Sequence, residues 1–330
     1  MESSRIHTLR LSPEEVEKFQ AFFMGESGLV FEGRRLKEME RAIAGRMIEL
    51  GVSSFDQYYH LLGRRDGKEE LNQLLLSLTV GETHFFRTPD QFAALRKYVL
   101  PELIERARAG SRRLLLLSAG CATGEEAYTL FILLSDLIPD PSSFRITIRA
   151  CDINKDFLEQ AREGIYGERK VKFVDPVTQE RFFHRLGKNR WQVKDELRRA
   201  VEFQHFNLNE PDYSGLAKGE QFDLVLCRNV LIYFNLETVK QVINKFHQVI
   251  AQDGYLKKVA PVAQASWPAI RVGEQRYSIR SALAAGESYP DIMSLKLVAG
   301  RSYTRQESDS GARVAIASRS VAETLFGSVD

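Results

Sequence analysis

The residues most able to do chemistry begin with a glycine pair. Leu114-Leu-Leu-Leu117 reads as a buried strand, Gly120-Cys-Ala-Thr-Gly124 follows it, and the apolar run from Ala127 to Leu134 reads as a helix. A strand, a tight glycine turn and a helix form the first unit of a nucleotide-type cofactor site. Glycines there let backbone approach a ligand closely; the same pair can equally be a packing turn. The Gly-x-x-x-Gly spacing departs from the Gly-x-Gly-x-x-Gly of pyrophosphate binders and favours S-adenosylmethionine, which has no pyrophosphate to cradle.

A carboxylate stands at the next place such a site needs one. Arg145-Ile-Thr-Ile-Arg-Ala-Cys-Asp152 alternates apolar residues and ends in an acid, which can accept hydrogen bonds from two ribose hydroxyls. Asp152 can also cap the next helix. Ala200–Asn207 and Phe222–Cys227 read as two further strands, and ligands of open parallel sheets sit beyond such carboxyl ends. Asn207 and the group Cys227-Arg228-Asn229 occupy them. Asn207 is placed to read an adenine edge or to form the turn that runs to Pro211.

The elements that position these residues fall into an α/β arrangement. Up to about residue 80 the chain reads as a small helical domain, with helices over Ser12–Met24, Arg34–Leu50, Phe55–Leu62 and Lys68–Leu78. Ser12-Pro-Glu-Glu15 is a capping box with proline at the first helical position. The second helix carries Arg34, Arg35, Lys37, Arg41 and Arg46, which is a solvated face or a binding face. Gly81–Arg87 links to a Rossmann-like sheet domain over residues 81–256, opened by one long helix over Pro89–Ala109. A small antiparallel insertion is expected over about 178–200, with a hairpin in Arg185–Val193 turning at Gly187–Asn189.

Five motifs stand in an order that resembles the CheR family of chemotaxis receptor methyltransferases. They are Gly81-Glu-Thr-His-Phe-Phe-Arg87, Gly120-Cys-Ala-Thr-Gly-Glu-Glu126, Ala150-Cys-Asp-Ile153, Phe206-Asn-Leu208 and Cys227-Arg-Asn-Val-Leu-Ile-Tyr-Phe234, within a match from about Leu11 to about Leu256. The resemblance implies transfer of a methyl group from S-adenosylmethionine to glutamate carboxylates on chemoreceptor cytoplasmic helices, giving methyl esters and S-adenosylhomocysteine. It places Thr83 and Arg87 near the methionine part of the cofactor, with Arg87 guiding the incoming carboxylate. It places Glu126, or its neighbour Glu125, at the ammonium, Gly120 in the loop and Asp152 at the ribose. Asn207 and Leu208 border the adenine, Cys227, Arg228 and Asn229 line the last strand end, and Tyr233 lies near the transferred methyl. In some relatives the antiparallel insertion docks a tethering peptide at the receptor's C-terminus. The basic second helix would meet an acidic receptor helix.

Composition narrows the alternatives. The 330 residues carry a net charge of +2, 44% hydrophobic and 27% charged residues, an ordinary soluble balance with no global basis for nucleic-acid binding. No apolar run reaches a membrane span and no signal peptide opens the chain, so a cytoplasmic monomer is expected. The three cysteines, Cys121, Cys151 and Cys227, form no Cys-x-x-Cys pair, and their closeness around one site suggests sensitivity to oxidation. The six histidines lack ligand spacing, so no structural metal is expected.

The family pattern stops near Leu256. Residues 257–330 form an atypical tail in which Val259–Gln264, Ser288–Met293, Leu297–Thr304 and Val321–Gly327 resemble a fragment of the extracytoplasmic domain of macrolide-exporter-type ABC-transporter permeases. Ala269–Arg280 and Arg313–Ala317 are candidate strands. Loss of the family's final strands would leave the fifth strand as an exposed edge, and with it a binding module of impaired catalysis.

Overall fold

The computed structural model describes residues 10–250 and, in the tail, residues 262–265, 270–272, 275–277 and 282–285. The first helix, α1 (Pro13–Ser27), starts as its sequence dictates: Ser12 Oγ accepts from Glu15 N at 3.3 Å and Glu15 Oε2 accepts from Ser12 N at 2.7 Å. It runs three residues past the expected Met24, because nothing breaks it before Gly28, which closes it in a left-handed conformation with φ 73°. Helices α2 (Arg34–Leu50), α3 (Phe55–Leu62) and α4 (Lys68–Leu78) follow with the expected bounds. Phe19, Phe23, Phe31, Met39, Ile43, Met47, Tyr58 and Leu74 form their common buried core.

The long helix expected over Pro89–Ala109 is instead three pieces: α5 (Pro89–Ala94), a π-turn over Leu95–Val99, and α6 (Leu100–Ala109). Pro101 explains the break. It has no N–H to give Lys97, and its ring crowds that carbonyl, so the ladder widens just before it.

Four strands then build a parallel sheet: β1 (Arg113–Ala119) and β2 (Arg145–Asp152), and, after the insertion strands β3 (Ile165–Gly167), β4 (Phe183–Arg185) and β5 (Arg190–Val193), β6 (Val201–His205) and β7 (Leu224–Leu226). Their order is β6-β2-β1-β7, with Arg113 opposite Arg145, Ile148 opposite Val201 and Leu116 opposite Leu224. The chain winds outward from β1 through β2 to β6, then crosses back to place β7 on β1's other side. This is the topological switch point, where a crevice opens at the carboxyl ends. Helix α7 (Glu125–Leu137) leaves β1 through the glycine turn, and Ala127, Tyr128, Leu130 and Leu134 bury it against the sheet.

The insertion is antiparallel, in the order β3-β5-β4. Its hairpin over Arg185–Val193 forms as expected, and Ile165–Gly167 adds a strand upstream of the expected bounds, too short to signal itself in sequence. Beyond β7, α8 (Leu236–Val249) ends where Ile250 makes a parallel bridge to Phe222, the start of the next strand position.

The tail is a separate unit. Val262–Ala265 pairs antiparallel with Ala282–Ala285, and Ile270–Val272 with Gln275–Tyr277. The expected single strand over Ala269–Arg280 is thus two short ones, separated in sequence by Gly273-Glu274. The Arg313–Ala317 strand and the change of pattern near Leu256 lie outside the described residues, as does the fifth-strand edge. Among the described residues no helix is long and apolar enough to cross a membrane.

Candidate active site

All four carboxyl-terminal strand tips open into one cleft. Gly120, Cys121 and Ala122 line it after β1, Asp152 and Ile153 at β2, Phe206 to Leu208 after β6, and Arg228 to Val230 after β7. The linker adds Glu82, Thr83, His84 and Arg87, the start of α7 adds Glu126, and Tyr233 lies on the far rim. Thr83, Arg87, Gly120, Glu126, Asp152, Asn207, Leu208, Arg228, Asn229 and Tyr233, all singled out in sequence, therefore face one space. Cys227 does not line it.

The glycines serve packing as much as access. A Cβ on Gly120 would lie 2.2 Å from Val230 Cγ2, and one on Gly124 would lie 2.9 Å from Ala161 Cβ and 3.0 Å from the Phe203 ring. Both have positive φ, 73° and 91°. Gly124 is buried outside the cleft, so its place in the motif comes from helix–sheet packing and the left-handed start of α7.

Asp152 is tied into the loop. Its Oδ2 accepts from Ala122 N and its Oδ1 from Asn154 N, each at 2.9 Å. It does not cap the following helix; Asn154 does, accepting from Phe157 N at 3.0 Å. Burial pushes its carboxyl above the ordinary aspartate value, and the hydrogen bonds from Asn154 and Ala122 pull the other way. The Ile153 amide acts in the same sense, and the carboxylate keeps part of its acceptor capacity for a hydroxyl.

The two acids at the start of α7 are separated by the fold. Glu125 is fully buried, pairs with Lys170 Nζ at 2.8 Å and accepts from Thr123 Oγ1 at 2.7 Å. Glu126 faces the cleft, where Ser118 Oγ and Arg228 Nη1 hold its two oxygens at 2.8 and 3.0 Å. Arg228 also donates from Nε to Gln91 Oε1 at 2.7 Å and from Nη2 to the Arg87 carbonyl, and stacks on Phe92 with 4.6 Å to the ring centroid. It braces Glu126 and the linker together. Asn207 spends its amide on structure too: Oδ1 accepts from Asn209 N at 2.9 Å and Nδ2 donates to the Glu26 carbonyl at 2.7 Å. That is the turn-forming alternative, with the side chain still on the cleft wall.

Backbone strain gathers here. Among the described non-glycine residues with positive φ are Phe86 and Thr88 on either side of Arg87, Ala122 in the glycine loop, and Asn229 after Arg228.

Residues 81–257 match the family model described as CheR methyltransferase, SAM binding domain, and residues 14–79 match CheR methyltransferase, all-alpha domain. The chain belongs to the CheR methyltransferase family. It is 30% identical to the chemotaxis protein methyltransferase of Escherichia coli (strain K12) over 75% of this chain and 84% of that one. It is 28% identical to the chemotaxis protein methyltransferase of Borreliella burgdorferi, over 75% of this chain and 87% of the relative. S-adenosylmethionine is the cofactor of this CheR-family chain and methyl transfer its reaction. The cleft fits that molecule: a carboxylate with acceptor capacity to spare stands at the tip of β2, a second at the start of α7, and Gly120 lines the same space without a side chain.

Sequence reasoning missed one wall of this CheR cleft. Ser27, Leu29, Arg35 and Leu78 to Val80 line it from the helical domain. Leu29 bridges Phe234 in antiparallel fashion, and Val30 N donates to the Tyr233 carbonyl at 2.9 Å. The apolar Leu29-Val-Phe31 after Gly28 was the available signal, though its partner Phe234 lies 205 residues on.

Two expectations change with the geometry. The thiols of Cys121, Cys151 and Cys227 are all pushed up by burial, that of Cys151 to about 12. Cys227 is partly exposed as a residue, but its sulfur is desolvated. Neutral buried thiols are poor nucleophiles, which argues against the oxidation-sensitive cluster read from sequence. The basic face of α2 is not uniform either. Arg46 is held by Glu70 and Glu49, with Tyr58 donating to Glu70 at 2.6 Å, and Arg35 turns into the cleft. Lys37 and Arg41 remain exposed.

Proposed function

We propose that this chain methylates glutamate side chains on the cytoplasmic helices of chemoreceptors, acting as a cytoplasmic monomer. A glutamate is ionised at neutral pH, so its carboxylate attacks without a general base. S-adenosylmethionine, when bound, would supply a methyl on a positively charged sulfur, so that forming the oxygen–carbon bond would break the carbon–sulfur bond and leave its electron pair on sulfur. The protein's part is alignment and desolvation.

The residue roles are those the family motifs imply, and the shared walls of the cleft support them. Asp152 holds the ribose, Glu126 the ammonium, and Asn207 and Leu208 border the adenine. Thr83 and Gly120 border the methionine portion. Arg228 and Asn229 shape the β7 side, Arg228 by bracing Glu126. Arg87 receives the substrate carboxylate, since a guanidinium offers two parallel hydrogen bonds. Tyr233 positions it beside the methyl. The single observation that carries this reading is that Arg87, Tyr233, Glu126 and Asp152 line one cleft across the tips of a parallel sheet.

The deciding experiment is methyl transfer from labelled S-adenosylmethionine to receptor-containing membranes. Base-labile label on the receptor is expected. Tight S-adenosylhomocysteine binding with no label would instead favour a binding module of impaired catalysis. That second reading rests on the sequence, in which the family pattern stops near Leu256. The tail's likeness to a permease extracytoplasmic domain is a proposal about its origin and adds no activity to this reading.

A further inference from the structure

Arg35 is the one residue of α2 that both lines the cleft and touches Tyr233. Its guanidinium lies between two rings, 4.7 Å from the Phe31 centroid and 4.5 Å from the Tyr233 centroid. Nη1 donates to the Val30 carbonyl at 3.0 Å, while Nε is buried with no hydrogen-bond partner among the described residues. Phe31 is fully buried in the helical core, so one face of this sandwich is fixed.

The other face is held less firmly, since Tyr233 is only partly buried at the edge of that core. Tyr233 ends a short 3₁₀ turn, Leu231–Tyr233, whose middle residue Ile232 is 59% exposed. That turn's backbone is pinned from the same side by the Val30–Tyr233 hydrogen bond and the Leu29–Phe234 bridge. Backbone ties fix where the turn sits, and partial packing on the helical core leaves part of the ring's hold to its neighbour Arg35. A planar guanidinium stacked on its face supplies that part.

We infer that Arg35 is a positioning residue for methyl transfer, holding the Tyr233 ring at the cleft so that the helical domain contributes to turnover as well as to recognition. This rests on the reading that Tyr233 stands beside the transferred methyl. Arg35 touches no reacting atom; it acts through Tyr233.

The test is a double-mutant cycle on the full chain with Arg35→Met, Arg35→Lys, Tyr233→Leu and Arg35→Met/Tyr233→Leu, reading kcat, receptor KM, S-adenosylhomocysteine Kd and Tm. Arg35→Met is expected to lower kcat by about 10- to 100-fold, the scale of a misplaced reacting group. S-adenosylhomocysteine Kd should stay unchanged, and Arg35→Lys, which keeps a cation over the ring, should recover part of the rate. The double variant should be no slower than Tyr233→Leu alone, since the two act as a unit. If Arg35→Met unfolds, Arg35→Gln is read in its place. A rise in receptor KM at unchanged kcat would overturn the inference, as would fully additive losses. If Tyr233→Leu slows turnover and the Arg35 variants do not, only the inference falls. If Tyr233→Leu leaves kcat intact, the assignment of Tyr233 falls first and the inference with it.

Discussion

Asp152 Oδ2 accepts the amide hydrogen of Ala122 at 2.9 Å, joining the tip of the second parallel strand to the glycine loop of the first. Ala122 sits there with φ 47°, a conformation an alanine rarely holds unaided. The carboxylate proposed to meet the ribose is therefore also the clamp that shapes the loop beside it. Ligand recognition and loop geometry share one group, and perturbing it changes both.

That sharing gives a pH dependence. Burial raises the Asp152 pKa in the folded protein above the ordinary 3.8. The folded state then binds more protons than the unfolded state in the window above pH 3.8, so this residue's contribution to stability falls as pH rises through that window. Cofactor affinity runs the other way, because protonation removes an acceptor. Calorimetric titration with S-adenosylhomocysteine should show affinity falling on acidification at a higher pH than a free aspartate would give. Asp152→Asn should abolish that limb and weaken binding by about 10- to 100-fold, the loss of one or two charge-assisted hydrogen bonds.

Arg228 is a strut, and its replacement separates strut from charge. Arg228→Lys keeps the positive charge near Glu126 but cannot hold Gln91, Glu126 and the Arg87 carbonyl together. The expected result is a kcat lowered by about 10-fold or more, through a mis-set linker. S-adenosylhomocysteine affinity should change by less, because Glu126 remains neutralised. Steady-state rates alongside calorimetry check this; a selective loss of affinity would assign Arg228 to cofactor contact.

Local signals made much of this fold readable. Ser12, Pro13 and Glu15 announce α1, the alternation ending at Asp152 announces β2, and Gly120-x-x-x-Gly124 announces the turn between β1 and α7. Contacts between distant parts of the chain were not readable. Glu125 and Glu126 are neighbours of one chemical type, and only the packing of Lys170 against one and Arg228 against the other tells them apart. Arg35 and Arg46 look alike on a basic helix, yet one enters the cleft and the other is locked to Glu70. The break before Pro101 was legible in principle, since a proline inside a helical pattern is its ordinary cause.

The cysteines give an inexpensive check of the packing. Burial holds all three thiols in the neutral form. Iodoacetamide at neutral pH should leave Cys121, Cys151 and Cys227 unlabelled in the native protein and label them all in denaturant, read by peptide mass. Rapid native labelling at Cys121 or Cys151 would mean the loop and the tip of β2 open far more often than their burial implies.

Charge on α2 supplies the last prediction. Lys37 and Arg41 are exposed, as is Arg34, which pairs with Glu38 on its own helix, and Lys37 and Arg41 are the two whose reversal tests contact with an acidic receptor helix. Reversing both to glutamate should raise receptor KM by about 10-fold at low ionic strength, a few-fold for each exposed pair lost. The difference should shrink as salt is added and kcat should hold, because neither side chain reaches the cleft. Arg46→Glu should behave differently. It would set a second carboxylate against Glu70, which is only 10% exposed and already accepts from Tyr58, so the damage appears as lost stability of about 3 kcal/mol or more, the scale of an unpaired buried charge. Thermal unfolding of Arg46→Glu beside salt-series kinetics of Lys37→Glu/Arg41→Glu separates the two effects. A salt-independent KM in the double reversal would remove α2 from the receptor interface.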